Sequence, residues 1–236
     1  MRLFFASQTE VEQTHIVAAL VFELSKVKLA HVRVRVLGQL QNVHVGLAKR
    51  VAAGLGAELP GAVSPAKAPI DMAVSDALSI LKQTTPVAGR CLGLLVADGT
   101  DGTVVAALQA AAQSAGVTVN IIAPKVGGVT LRDGTHLAAD EKIDGAPSVL
   151  FDGIALVLSG DGASLLTGEK AAVDFVSDAY AHCKAIGHTP GAKALIDKAG
   201  VATDAFFALL PKDASALISI MPLRASEREK IVKLPV

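Results

Sequence analysis

The stretch Leu92-Gly93-Leu94-Leu95-Val96-Ala97-Asp98-Gly99-Thr100-Asp101-Gly102-Thr103 decides how the rest of the chain is read. A short apolar run at 92–97, bounded by turn residues, predicts a strand buried on both faces. The polar turn leads into a helix over 103–115, stopped by Gly116. Working outward, 117–123 and 154–159 repeat the apolar strand pattern. Asp133-Gly134 at the middle of 129–137 predicts a β-hairpin. An amphipathic helix over 169–182, a fourth strand at 185–187 and a helix over 192–199 before Gly200 complete the series. Strands alternating with helices place 91–236 in the α/β class, as a doubly wound parallel sheet. Ligands in such folds sit at the carboxyl ends of the strands, so those loops are where chemistry is sought.

Two further segments precede this domain. Residues 1–56 predict a small all-α arm. Ser7 with Glu10, or Thr9 with Glu12, forms a capping box, and Ile16, Leu20, Leu24 and Val27 keep helical spacing. Residues 32–36 alternate like a strand, but Val32, Val36 and Leu40 also fit a helical face, and helix is preferred. Leu47, Val51 and Leu55 mark a last helix ending at Gly54 or Gly56. Residues 57–90 hold Pro60, Pro65, Pro69 and Pro86 and read as a Pro-rich linker, interrupted by a short apolar turn near 77–81.

Composition narrows the function. The 236 residues carry 22 Lys+Arg and 22 Asp+Glu, so bulk charge does not favour nucleic acid. The balance is uneven: residues 1–60 hold 7 basic and 4 acidic side chains, and 91–222 hold 8 and 14. Hydrophobic residues are 51% but aromatics only 3%, so the core is aliphatic and disorder is excluded. The uncharged run 102–124 contains Gln109, Gln113, Asn120 and Pro124 and does not predict a membrane span. Glu10 and Glu12 interrupt the start before any signal-peptide core develops. Cys91 and Cys183 are too few for a zinc site or disulfide framework and fit a reduced, cytoplasmic protein.

Two loops invite chemical readings. The turn 97–103 superficially resembles a flavodoxin flavin-phosphate loop, in which backbone N–H groups at a helix N-terminus hold phosphate. Asp98 and Asp101 oppose an anion there, and the chain has no Trp to stack a flavin. A helix N-cap is the simpler reading. The segment Lys184-Ala185-Ile186-Gly187-His188-Thr189-Pro190-Gly191 looks like the nucleophile elbow of the class I glutamine-amidotransferase-like superfamily, which includes intracellular proteases and amidases. Its members end this strand in Ala-Ile-Cys-His-Gly-Pro. Here Gly187 stands at the nucleophile position, so Gly187 and His188 make a degenerate elbow. Cys183 lies four residues upstream, near the other end of the strand. The remaining histidines, His15, His31, His44, His136 and His182, do not share metal-ligand spacing, and no metal is expected.

Taken together, the segments resemble the C-terminal part of a large-subunit haem catalase. Residues 7–17 and 22–27 look like the first helix after the catalase barrel, and 47–56 matches the last helix of that subdomain. Ser75-Asp76-Ala77-Leu78-Ser79 stands where the family has Ser-Pro-Ala-Leu-Ser. Gly89-Arg90, Asp133-Gly134-Thr135, Gly145-Ala146-Pro147-Ser148 and the closing stretch 230–236 recur in the family's flavodoxin-like extra domain, in order. His44 departs from the family's capping Asp, with Gly46 behind it. The resemblance implies three parts: a helical arm at 1–56, a linker at 57–90 and a flavodoxin-like domain at 91–236. It implies hydrogen peroxide detoxification in the parent enzyme, where this part buttresses the tetramer and shapes access to haem. Chaperone-like protection is also attributed to such domains. Haem catalases need a distal His and Asn and a proximal Tyr paired with Arg. Tyr180, the one tyrosine, lacks that Arg-rich motif, so neither haem nor any other cofactor is expected in this chain. The expected partners are a second copy, as a homo-oligomer, or a catalase haem barrel, without nucleic acid or membrane. Phe4, Phe5 and Phe22 are expected to pack on such a partner. The competing reading is an amidotransferase- or protease-like enzyme without a Cys nucleophile, working through Asp98, Asp161 or His188.

Overall fold

Helix α1, Arg2–Ser7, and helix α2, Glu10–Ser25, meet at Thr9, and of the two capping boxes foreseen it is Thr9 with Glu12 that forms. The Thr9 N–H donates to Glu12 Oε2 at 2.8 Å, and the Glu12 N–H donates to Thr9 Oγ1 at 3.3 Å. Helix α3 spans Ala30–Val43, so the alternating 32–36 stretch is helical. Helix α4 spans Val45–Gly54, and Gly56 beyond it has φ +62, the left-handed stop that glycine supplies. His44, its N-cap, makes no side-chain capping bond. Its ring instead packs on Phe5, centroids 5.2 Å apart. A methyl group on Gly46 would lie 3.0 Å from that ring, so glycine leaves room for the histidine.

A small core of Phe5, Leu24, Leu37, Leu47, Val51 and Ala52 closes these helices on one another. Phe5 is only 3% exposed and belongs to this core, which corrects its assignment to a partner surface; Phe4 and Phe22 do remain exposed.

A computed structural model describes residues 1–83 and 85–231, and the contacts divide into two compact units beside residue 84. The Pro-rich stretch up to 83 therefore belongs with the helical arm. Gln41 Nε2 donates to the Pro60 carbonyl and Asn42 Nδ2 to that of Val63, each at 2.9 Å. Farther on, the Ser75 N–H donates to Ser7 Oγ at 3.0 Å, and Gln8 Nε2 donates to the Leu78 carbonyl at 2.8 Å. Glu12 ties the strap down: it accepts from Ser79 Oγ at 2.7 Å and from the N–H groups of Ile80 and Leu81 at 2.8 and 3.2 Å. Burial pushes the Glu12 carboxyl up. The Thr9 N–H, Ser79 hydroxyl, Leu81 N–H and Thr9 hydroxyl outweigh it and hold the group at about 2.

The second unit runs in order β1 (Cys91–Val96), α5 (Gly102–Ser114), β2 (Thr118–Ala123), β3 (Val129–Thr130), β4 (His136–Leu137), β5 (Glu141–Lys142), β6 (Gly153–Val157), α6 (Gly160–Leu166), α7 (Lys170–Ala181), β7 (Ala185–His188), α8 (Lys193–Lys198), β8 (Phe207–Leu209) and α9 (Ala214–Ile220). Six strands form one parallel sheet in the order β5-β2-β1-β6-β7-β8, and β3 with β4 forms the foreseen hairpin. Without the short β5 edge, that order is the flavodoxin-like one. Side chains alternate across the sheet: Leu92, Leu94 and Val96 face α5 and α9, whereas Leu95, Ile154 and Leu156 join the layer of α7 and α8. Both faces are covered, as a parallel sheet requires.

Candidate functional site

In a doubly wound sheet the crevice opens where successive connections leave in opposite directions. Here that point lies between the carboxyl ends of β1 and β6, and the two loops touch. Thr100 is buried between them. Its hydroxyl donates to the Val157 carbonyl at 2.7 Å and accepts from the Ala97 N–H at 3.1 Å. The Ser159 hydroxyl reaches the Asp98 carbonyl at 3.4 Å and caps α6 through the Gly162 N–H at 3.1 Å. A methyl on Gly162 would sit 2.9 Å from Ala97 Cβ and 3.3 Å from the Asp98 carbonyl oxygen, so the loops pack in contact.

The hairpin covers the same loop from its other side. The Gly99 N–H donates to the Thr130 carbonyl, and the Arg132 N–H donates to the Thr100 carbonyl, at 2.8 and 2.9 Å. Asp98 accepts from the Thr130 N–H at 2.9 Å, which holds its carboxyl below the ordinary range, with help from Lys125 at 3.6 Å. Asp101 is the N-cap of α5. It accepts from the hydroxyl and N–H of Thr103 and pairs with Arg132 at 2.7 Å. Several donors and acceptors of this turn are thus engaged with one another and with the hairpin.

The degenerate elbow has no elbow geometry. Gly187 and His188 continue β7 as regular extended strand, in register with Ala155 and Leu156 of β6 and with Ala208 and Leu209 of β8. A methyl on Gly187 would lie 2.5 Å from Leu217 Cδ2 and 3.2 Å from Leu210 Cδ1, so core fills the space of a nucleophile side chain. His188 Nδ1 lies 3.2 Å from the Thr189 carbonyl, and its ring meets that of Phe207 edge-on with centroids 5.9 Å apart. Beside it is a surface pocket of about 590 Å³, bordered by Pro190, Lys193, Asp197 and Thr203. Thr189 is engaged as well: its hydroxyl donates to the Leu158 carbonyl at 2.7 Å. Asp161 is in the first turn of α6. Asp98 thus lies in the β1–α5 loop, Asp161 in α6 and His188 at the end of β7, and no hydrogen bond among the described residues joins them into an acid–base pair.

At the opposite, amino end of β7 the chain builds a polar cluster that its sequence did not announce. Cys183 precedes the strand with φ +60, is buried, and has its thiol raised by that burial. Lys184 Nζ donates to the Ser148 and Phe151 carbonyls at 2.7 and 2.6 Å, and burial lowers its ammonium pKa. Arg228 is 1% exposed. Its guanidinium grips Asp204 through two bonds of 2.6 and 2.8 Å and donates to the Lys184 carbonyl at 2.7 Å. Its Cζ lies 4.4 Å from the centre of the Tyr180 ring, so the lone tyrosine is buried on α7 beneath a cation. Sequence spacing carried no signal for this group, because Asp204, in a loop, and Arg228, in the 3-10 turn Ser226–Lys230, stand 24 residues apart. No group of three His, Cys, Asp or Glu side chains among the described residues can hold a metal ion, and no described helix is long and apolar enough to cross a membrane.

The fold defines a class: a flavodoxin-like domain that follows a helical arm in the chain. Residues 88–214 match the C-terminal domain found in long catalases, and residues 2–55 match the catalase-related immune-responsive family. The chain belongs to the family of long-catalase C-terminal domains. It is 42% identical to Catalase C of Rhizobium meliloti (strain 1021) over 249 residues, which covers 99% of this chain and 34% of that protein. It is also 36% identical to Catalase HPII of Mycobacterium avium, over 85% of this chain and 28% of that protein. To Catalase HPII of Pseudomonas aeruginosa it is 31% identical, over 86% and 28%. The chain spans about a third or less of the length of these relatives.

Proposed function

We propose that this chain is a non-catalytic module of a large catalase, with a structural role: it stabilises an oligomer and shields unfolding protein in a chaperone-like way. Its partners in this reading are a catalase haem barrel or further copies of itself, in the cytoplasm, without nucleic acid or membrane.

The contact between the β1 and β6 loops carries the reading. A flavodoxin-like domain that worked on a small molecule would use that crevice, and here Thr100, Ser159 and the hairpin engage its loops in bonds to one another. Haem fits poorly for a separate reason. A proximal tyrosinate needs an open face toward iron, whereas Tyr180 is buried under the Arg228 guanidinium. The alternative of a hydrolase at the degenerate elbow draws no support from Gly187, whose missing side chain is replaced by Leu217 and Leu210.

The test is functional. Added to a heat-stressed haem catalase or another aggregating client, the purified chain is expected to delay aggregation without hydrolysing esters or amides or consuming glyoxals. Turnover of such substrates, lost on His188→Ala, would overturn the reading in favour of the enzyme.

A further inference from the structure

We propose that the corner where α2 meets α3 binds acidic stretches of unfolding polypeptide, so that the proteins this chain shields are acidic ones. The proposal deepens the chaperone-like role above and rests on it.

Between Glu23 and Glu58 the chain has no acid, and its bases are Lys26, Lys28, Arg33, Arg35, Lys49 and Arg50. The first four fall at the corner, where α2 ends at Ser25 and α3 begins at Ala30. Arg33 fixes the turn itself: its Nε donates to the Val27 carbonyl at 2.7 Å and its Nη2 to that of Ser25 at 3.1 Å. Lys26 pairs with Glu23 at 3.1 Å and lies 3.5 Å over the Phe22 ring. Lys28 and Arg35 are different. Both are exposed, and neither has an ion pair or a side-chain hydrogen bond among the described residues. His31, also exposed, stands four residues before Arg35 and so shares its face of α3.

Aliphatic side chains stand among these cations. Leu29 is 59% exposed beside Lys28, and Val34 is 50% exposed three residues after His31, on the same face. A chain that intersperses Asp or Glu with apolar residues meets both features at once, whereas a basic chain is repelled by Lys28 and Arg35. Other occupants fit less well. A bilayer takes a broad apolar helix face, and here Lys28, His31 and Arg35 interrupt it. A single-stranded nucleic acid stacks on open aromatic rings, and Phe22, the aromatic ring at this corner, lies under Lys26.

Fluorescence anisotropy of the whole chain with two labelled, unstructured peptides tests this, one of glutamate and leucine and one of lysine and leucine. The acidic peptide is expected to bind at least about tenfold more tightly than the basic one. It should be released at about 1 M salt, where the Debye length falls to about 3 Å. The double variant Lys28→Glu/Arg35→Glu should weaken the acidic peptide at least about tenfold. Leu29→Ser, which keeps every charge, should weaken it by a smaller factor. Lys198→Glu/Lys212→Glu makes the same change in net charge at exposed positions of the other unit and should leave binding within about twofold. Equal affinity for the two peptides, no binding of either, or equal losses in the two double variants overturns the proposal. So does capture of phosphatidylserine vesicles in place of the acidic peptide. In an aggregation assay, equal protection of acidic and basic clients removes the preference and leaves the shielding role standing, whereas failure to protect any client strikes the role itself.

Discussion

The two units differ in the size of the core they build, although each leaves some large hydrophobic residues exposed. The flavodoxin-like unit covers both faces of its sheet and spends the polar groups of its strand-end loops on internal bonds. The arm has one modest core and leaves Phe4, Phe22 and the strap residues Ile70 and Met72 in solvent. The difference teaches where to look for function in such a chain. The sheet domain joins its β1 and β6 loops by internal bonds, whereas the arm carries an apolar groove beside α1, bordered by Phe4, Ile16, Leu20 and Leu40. An exposed apolar groove of that kind suits a protein contact.

Four substitutions would break or sharpen the contrast. The largest effect belongs to Arg228→Ala in the closed unit. It leaves Asp204 partly buried without its cation, an unpairing that costs about 3–5 kcal/mol. Chemical denaturation should show this loss in the second unit alone. Gly187→Cys comes next. Forcing a side chain against Leu217 is expected to cost about 1–3 kcal/mol, and the variant should gain no hydrolytic activity, because His188 meets no partnering acid.

In the arm, Glu12→Gln removes the charge that holds the capping box and strap together. A loss of about 1–2 kcal/mol is expected, with faster proteolysis near residues 79–82 and no change in the sheet domain. The same carboxylate sets a pH dependence. Its folded value of about 2 lies below the ordinary one of 4.5, so the unfolded chain binds more protons between them. The stabilisation is complete above about 4.5 and is lost as pH falls toward 2, so arm helicity followed by circular dichroism should decline over that window. The Glu12→Gln variant should lack this step. The smallest effect is a gain: His44→Asp restores a side-chain cap to α4 and should add up to about 1 kcal/mol, offset in part by lost packing on Phe5.

Sequence periodicity recovered the parts that rest on local patterns. The strands Cys91–Val96, Thr118–Ala123, Gly153–Val157 and Ala185–His188 were legible because buried parallel strands read as predominantly apolar runs. The Asp133-Gly134 hairpin and the Thr9–Glu12 box were legible because single residue types dictate them. What escaped is held by tertiary contacts. Strand β5 is Glu141-Lys142, two charged residues paired only through Ile122 and Ala123, and β8 is three residues long. Helix α6 begins Gly160-Asp161-Gly162, a sequence of poor helix propensity, and stands because Ser159 caps it and the β1 loop packs on it. Phe5 was misassigned because hydrophobicity alone does not say whose core a residue joins. At the candidate site, the missing nucleophile at Gly187 was legible. The contact through Thr100 and Ser159 was not, because it depends on two loops distant in sequence meeting.

The central claim is that this chain of a catalase family does its work without haem. Titrating the purified 236-residue chain with hemin, while recording the Soret band and oxygen release from hydrogen peroxide, tests it most directly. The account predicts no stoichiometric Soret shift and no oxygen above the level of free hemin. A one-to-one spectral end point with peroxide dismutation, abolished by Tyr180→Phe, would contradict it.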